Sequence, residues 1–92
     1  MQWKLFADLA ERAGDRHVTV DVEPGATVAE ALDALLADRE ALAERVLDDQ
    51  GELRSQINVL RNGNEIHSQE AGMETVLEEG DELALFPPVS GG

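Results

Sequence analysis

The chain opens with an alternation of apolar and polar residues that predicts a β-strand over residues 2–7. Trp3 and Leu5 fall on one face of this strand. Lys4 and Phe6 fall on the other. Because side chains along a strand alternate between the two sheet faces, Lys4 and Phe6 are expected on the side that does not carry the core.

A short helix and a second strand are predicted next. Residues 8–13 are typical of a helical turn, and Gly14 follows them, as glycine often does at a helix end. Residues 16–23 alternate again, which predicts a half-buried strand. Its inward side chains are Val18, Val20 and Val22.

The main helix is predicted to begin at Thr27, the first residue of a capping box that Glu30 completes. Apolar residues then recur at helical spacing and form one core-facing stripe. The stripe comprises Val28, Ala31, Leu32, Leu35 and Leu36. Residues 39–47 are predicted to continue as helix, and residues 48–52 as a loop. Further core residues in this stretch are Leu42, Val46 and Leu47.

The second half of the chain predicts three more strands. Residues 57–61 and 64–67 flank Asn62-Gly63, a dipeptide typical of a two-residue hairpin turn. A turn at residues 79–81 precedes residues 82–86, which are apolar enough for a central strand. The predicted order is ββαβββ, in which a helical crossover permits the first and last strands to pair in parallel. This order indicates an α+β fold, with a mixed sheet of four to five strands packed on one main helix.

Composition limits the function. The chain has 20 acidic residues against seven basic ones, a net charge of −13, and no cysteine. Such a surface repels nucleic acid and anionic lipid, and the missing cysteine excludes disulfides and thiolate chemistry. His17 and His67 lack metal-ligand spacing, so we expect no metal, no bound cofactor and no catalytic residue. With neither a signal peptide nor an apolar span in the sequence, a cytoplasmic monomer is expected.

The C-terminal residues favour a role for the tail. We expect residues 1–86 to form one domain and residues 87–92 to form a flexible tail that ends in Gly91-Gly92. A Gly-Gly end arises by chance in roughly one chain in 200, but glycine also passes through narrow channels that side chains block. Pro87-Pro88 is either a strand stop or a stiff spacer, which with the rest of the tail would reach about 18–20 Å.

Four segments of the chain carry a resemblance to a known family: Leu5-Phe6-Ala7, Ala26-Thr27-Val28, Gly80-Asp81-Glu82 and the end Leu85-Phe86-Pro87-Pro88-Val89-Ser90-Gly91-Gly92. The chain resembles the molybdopterin synthase small subunit and the thiamine sulfur carriers. Within that family it is most similar to the small archaeal modifiers, which are ubiquitin-like sulfur carriers of haloarchaea. The resemblance implies a β-grasp fold and a protein that is a co-substrate, not an enzyme.

The resemblance also implies a chemistry for the tail. An E1-like enzyme uses ATP to adenylate the carboxyl group of Gly92. Sulfur attack then gives a thiocarboxylate that serves molybdopterin synthesis or tRNA thiolation, and lysine attack gives an isopeptide bond to a target protein. The tail residues that the enzyme would recognise are Gly91, Ser90, Val89, Pro88 and Pro87. The alternative is a β-grasp binding module whose tail is never activated.

Two further predictions concern the open sheet face. Phe6, Phe86 and Leu60 are expected to form an apolar patch. The patch either docks the activating enzyme or the molybdopterin synthase large subunit, or is buried under residues 8–13. Lys4 is either an acceptor for conjugation between copies of the chain or an ordinary solvent-facing lysine.

We predict that the folded domain loses stability when salt is removed, because the acids lie along the whole chain and repel one another. At molar salt the Debye length falls to about 3 Å, which screens this repulsion. Calorimetry should show a lower Tm in millimolar than in molar KCl. An unchanged Tm would refute our interpretation that the acidic surface is adapted to a salt-rich cytoplasm.

Overall fold

The computed structural model describes residues 1–87 of the chain. Five strands and four α-helices occur in this part. In chain order they are β1 (Gln2–Leu5), α1 (Asp8–Ala13), β2 (His17–Thr19), α2 (Val28–Asp38), α3 (Ala43–Val46), β3 (Asn58–Arg61), β4 (Asn64–Glu65), α4 (Ile66–Gln69) and β5 (Glu82–Phe86). Two 3₁₀ turns, Glu40–Leu42 and Gly72–Glu74, complete the described elements.

The strands form one mixed sheet in the order β2-β1-β5-β3-β4. β5 lies between β1, with which it pairs in parallel, and β3, with which it pairs antiparallel. The predicted α+β class is confirmed, as are the parallel pairing of the first and last strands and the central position of β5. The register sets Ala84 opposite both Lys4 and Leu60.

The core lies between the sheet and α2. The predicted stripe of α2 is buried along its whole length, and the fully buried side chains of β1 and β5 are Trp3, Leu5, Leu83 and Leu85. The Trp3 indole nitrogen donates a hydrogen bond of 3.1 Å to the Ala31 carbonyl oxygen, which joins β1 directly to α2. The capping box is also confirmed, because the Thr27 hydroxyl accepts from the Glu30 amide at 3.3 Å and both reciprocal bonds are present.

Two predicted elements are shorter than the sequence pattern indicates. β1 ends at Leu5, and Ala7 has a φ of 53°, a left-handed conformation that no strand continues. β2 spans only His17–Thr19, because the Val22 amide turns back to the Val20 carbonyl at 3.1 Å. Val20 is nevertheless buried as predicted, and Val22 is half-buried.

Two further predictions were wrong about the type or continuity of an element. The main helix does not continue through residues 39–47, since Arg39 has φ −128° and ψ 78° and breaks it into a 3₁₀ turn and the short α3. The return strand ends at Glu65, and Ile66–Gln69 is a helix. The Glu65 carboxylate accepts the Ser68 amide at 2.9 Å and thereby caps this helix at its N-terminus.

A partly buried ion pair ties the β3–β4 hairpin to the turn before β5. Arg61 donates from Nε to Asp81 at 2.7 Å and from Nη1 to Glu70 at 2.7 Å. Burial works to raise the pKa of Asp81, but hydrogen bonds from the Glu78 amide, Arg61 and Asn62 outweigh it and hold that pKa below its usual value. The hairpin tip itself is as predicted, with φ values of 51° and 87° at Asn62 and Gly63 that suit a type I′ turn.

We predict that Asp81→Asn lowers the free energy of unfolding by about 2–3 kcal/mol, because it removes a charged hydrogen-bond acceptor and leaves Arg61 partly unpaired. Urea denaturation at pH 7 measures this difference. Glu78→Gln is the matched control, since Glu78 lies 3.7 Å from Arg61 and is 79% exposed. It should change stability far less.

The effect of Asp81→Asn should also depend on pH. A carboxyl group whose folded-state pKa is depressed stabilises the fold fully above its unfolded-state pKa of about 3.9, and this contribution disappears as the pH falls through the folded-state value. The gap between wild type and Asp81→Asn should therefore stay constant from pH 7 down to about pH 4 and close below it. A gap that persisted at pH 2 would contradict this account of the ion pair.

Candidate functional site

The end of β5 is the point from which the predicted tail departs. Strand partners on both sides hold β5, and its inward residues Leu83 and Leu85 are fully buried. Phe86, the last residue of the strand, and Pro87 are half-buried. The sheet therefore fixes the position and direction of the chain up to Phe86. The predicted tail residues Pro88, Val89, Ser90, Gly91 and Gly92 lie outside the described residues.

Beside this strand end, two aromatic rings meet on the open sheet face. The rings of Phe6 and Phe86 are stacked, with centroids 4.0 Å apart and an angle of 10° between their planes. Leu60 joins them through Ala84, which it faces across the β3–β5 pair. We refer to Phe6, Phe86, Leu60 and Ala84 as the open-face patch. All four are half-buried, so apolar surface of the patch remains in contact with solvent.

The helix formed by residues 8–13 packs against the core and not against this patch. Leu9, the buried residue of α1, lies in the core. Asp8 accepts a hydrogen bond of 2.7 Å from Arg45 in α3, so α1 is tied to the helical side of the sheet. Of the two interpretations of the patch, this packing favours an exposed surface over burial beneath residues 8–13.

Lys4 lies on the same face as the open-face patch. It faces Ala84 in β5 and His17 in β2. Its Nζ atom is 5.4 Å from the centroid of the Phe6 ring, within the range of a cation–π interaction. The side chain is half-buried, and its charge sits at the margin of the apolar patch.

The two histidines lie in different parts of the fold. His17 is exposed on the edge strand β2, and His67 Nδ1 is 3.2 Å from a carboxylate oxygen of Glu65. Burial works to raise the pKa of Glu65, but hydrogen bonds from His67 and Ser68 outweigh it and hold that pKa low. Within residues 1–87 no three histidine or acidic side chains are grouped so that they could hold a metal ion.

The described helices are short, and α2, with 11 residues, is the longest of them. None of those within residues 1–87 combines the length and the apolar character that crossing a bilayer requires.

Sequence reasoning missed Ala84 as a member of the patch. Residues 82–86 were predicted only as an apolar central strand, but Ala84 and Phe86 are two positions apart and must share a face. The strand period was therefore a sufficient signal. From the sequence, Asp81 was noted only as part of a segment that resembles the family. In the structure it forms an ion pair with Arg61.

Comparison with known proteins places the whole chain in a single family. Residues 3–92 match the ThiS family. The chain is 59% identical to small archaeal modifier protein 1 of Haloferax volcanii over 92 residues, which are 100% of both sequences. The crystal structure of that protein aligns with 100% of this chain and with 98% of the crystallised chain, at a TM-score of 0.89.

A more distant solved structure has the same fold. It is the complex of BexX and CysO from Amycolatopsis orientalis, in which the matched chain is 26% identical to this one. The match covers 99% of this chain and 98% of the other, with a TM-score of 0.80. The predicted ubiquitin-like β-grasp fold is thus confirmed by the model and by its solved relatives.

Proposed function

Because this chain belongs to the ThiS family, we propose that it is a ubiquitin-like carrier of an activated carboxyl group. A free carboxylate is a poor acyl donor, since its leaving group would be oxide. An E1-like enzyme transfers AMP from ATP to the carboxylate of Gly92 and releases pyrophosphate, which makes a mixed anhydride. The chain itself supplies the acyl group and binds no cofactor.

Two fates of this acyl-adenylate are proposed. Attack of hydrosulfide on the acyl carbon forms the C–S bond, expels AMP and leaves a thiocarboxylate on Gly92, which donates sulfide for molybdopterin synthesis or tRNA thiolation. A lysine amine of a target protein that displaces AMP gives an isopeptide bond. The relative at 59% identity is named as a modifier protein, which supports the second fate, and membership of the ThiS family supports the first.

The observation that carries the proposal is that the family match extends through residue 92. It includes the Gly-Gly end, and the 59% identical relative aligns over its entire length. In the fold, β5 is the best-supported strand of the sheet and leads directly into these residues. A body that holds the base of the tail rigidly suits a group that must enter another protein's active site.

We assign the tail residues to recognition by the activating enzyme. Gly91 and Ser90 pass through its channel, where a larger side chain would collide with the walls. Val89, Pro88 and Pro87 form the spacer, and proline favours extended polyproline geometry of about 3.1 Å per residue.

The open-face patch is proposed as the docking surface for the activating enzyme and for the molybdopterin synthase large subunit. Exposed apolar area next to the tail would fix the tail's direction while the partner acts on Gly92. Phe6 and Phe86 are the aromatic anchors, a residue type enriched in protein interfaces. The CysO chain in the complex with BexX is a family precedent for a stable protein partner.

We predict that deletion of Gly91-Gly92 abolishes ATP-dependent adenylation and leaves the fold intact, because the described core is formed by residues between Trp3 and Leu85. ATP–pyrophosphate exchange with the activating enzyme measures adenylation, and the Tm measures the fold. Gly92→Ala should also suppress the reaction, since its methyl group enters a channel shaped for backbone. Full exchange activity in the deletion variant would overturn the carrier proposal and favour a binding module.

Intact mass of the protein isolated from cells separates the two fates. A mass increase equal to the replacement of one oxygen by one sulfur identifies the thiocarboxylate. Conjugates of higher mass, with the tail attached to target lysines, identify protein modification. Lys4 is the chain's single lysine, so a link between two copies through a side chain must use it.

We predict that Leu60→Arg weakens docking and raises the KM for the activating enzyme by about tenfold, the effect of roughly 1.4 kcal/mol of lost contact energy. The substitution puts a charge into the apolar patch with no change to the tail. Thr19→Arg is the matched control, because Thr19 is exposed on β2, away from the patch. An equal KM for the two variants would show that the enzyme does not use this patch.

A further inference from the structure

A groove lies on the side of α2 that faces the loop after α3. Its volume is about 700 Å³. One wall is α2, and the other is the segment 47–57, whose loop is closed by an antiparallel bridge between Leu47 and Leu53. At the sheet edge the groove reaches Asn58 in β3. Among residues 1–87, none of those assigned above to the tail or to the open-face patch lines it.

The floor of the groove is apolar. Leu32 and Ile57 form its deepest part, with exposed fractions of 3% and 2%. Leu47, Leu53 and Met73 stand around them and are only partly buried against the core. The described part of the chain thus leaves a concave apolar surface accessible from outside.

Within the described residues, the groove is lined by three carboxylates, those of Asp33, Glu52 and Glu65, against one guanidinium, that of Arg54. Among residues 1–87, the side chains of Asp33 and Glu52 take part in none of the hydrogen bonds or ion pairs, and Glu52 is bonded only through its backbone. The Glu65 carboxylate is bonded to His67 and Ser68. Arg54, the one guanidinium on the described lining, donates to the Glu44 carbonyl oxygen at 3.3 Å and forms no ion pair with these acids.

We propose that this groove binds a segment of a partner protein that presents apolar side chains together with a lysine or arginine. The apolar side chains cover the floor, and the cation approaches Asp33 and Glu52 at the rim. This inference goes beyond the proposed function, since it stands whether or not Gly92 is activated.

Charge complementarity favours a basic partner segment over two other occupants, a second copy of the chain and the chain's own tail. A second copy carries the same net charge of −13, so its approach is opposed by repulsion. The chain's own residues 88–92 contain no basic residue and end in a carboxylate. Neither brings the surplus of positive charge that would balance the carboxylates of the groove.

The position of the groove would bring a bound partner close to the end of β5. Asn58 lines the groove and lies opposite Phe86 across the β3–β5 pair. One end of the groove is therefore next to the strand end from which the tail departs. A partner seated there would contact the body of the domain close to whatever is joined to the tail.

The test is a titration of the ¹⁵N-labelled full chain, followed by NMR, with three synthetic peptides. The first is acetyl-Ala-Leu-Arg-Leu-Leu-Arg-Ala-amide, the second has Glu for each Arg, and the third has Ser for each Leu. We expect the first peptide alone to shift the amides of Leu32, Leu53 and Ile57 in a saturable manner. Absence of those shifts, or equal binding of the first and second peptides, overturns the proposal.

A pair of double variants tests the role of the rim. Asp33→Asn with Glu52→Gln removes two carboxylates that hold no described contact, and we expect it to weaken binding of the first peptide about fivefold. A chain of net charge −13 attracts any cationic peptide, so the control removes the same two charges elsewhere, as Asp21→Asn with Glu23→Gln. Equal dissociation constants for the two variants would show that only net charge matters, and the rim assignment would be wrong.

The same spectra distinguish the other occupants. Shifts of the groove amides on dilution without peptide would assign the groove to a second copy. Shifts of those amides on deletion of residues 88–92 would assign it to the chain's own tail. Either result overturns the partner proposal.

Discussion

The parallel pairing of β1 with β5 is the constraint on which the rest of the fold depends. Two parallel neighbours cannot be joined by a tight turn, so the chain between them must cross from one end of the sheet to the other. α2 makes part of that crossing, and the Trp3 indole bonds it to the sheet through the Ala31 carbonyl. Once β5 lies between β1 and β3, Leu85 cannot move without breaking two ladders, and Phe86 after it is still paired with Asn58 in β3. The rigidity of the strand end is thus a consequence of topology.

Local signals were sufficient where an element depends only on its own residues. The capping box at Thr27 and the hairpin at Asn62-Gly63 were both predicted, because each is set by hydrogen bonds or φ values within four consecutive residues. The parallel pairing followed from element order. The faces of β1 and β5 followed from the two-residue period of a strand, so Phe6 and Phe86 were expected on one face.

Predictions failed where a local cap competes with a hairpin pattern, or where neighbours in space decide. Residues 64–67 were predicted as the return strand because they follow a hairpin turn, but the Glu65 carboxylate caps the next turn and makes Ile66 the first residue of a helix. Residues 39–47 have helical spacing, but a backbone turn at Arg39 brings Leu42 and Val46 separately into the core. The groove could not be predicted from the sequence, because α2, the 47–57 segment and the sheet edge meet only in the folded chain.

The two accessible apolar surfaces differ in the charge beside them, and that difference bears on partner choice. The open-face patch has the Lys4 ammonium group over the Phe6 ring, whereas the groove has Asp33 and Glu52 at its rim. A partner segment with a cation is attracted to the carboxylates of the groove and repelled by Lys4 at the patch. An acidic segment is attracted to Lys4 and repelled by the groove. Apolar area alone would let either partner bind either surface. On a chain as acidic as this one, Lys4 is therefore what distinguishes the patch from the groove, and its replacement by a neutral residue removes that distinction without altering the contacts of the other patch residues.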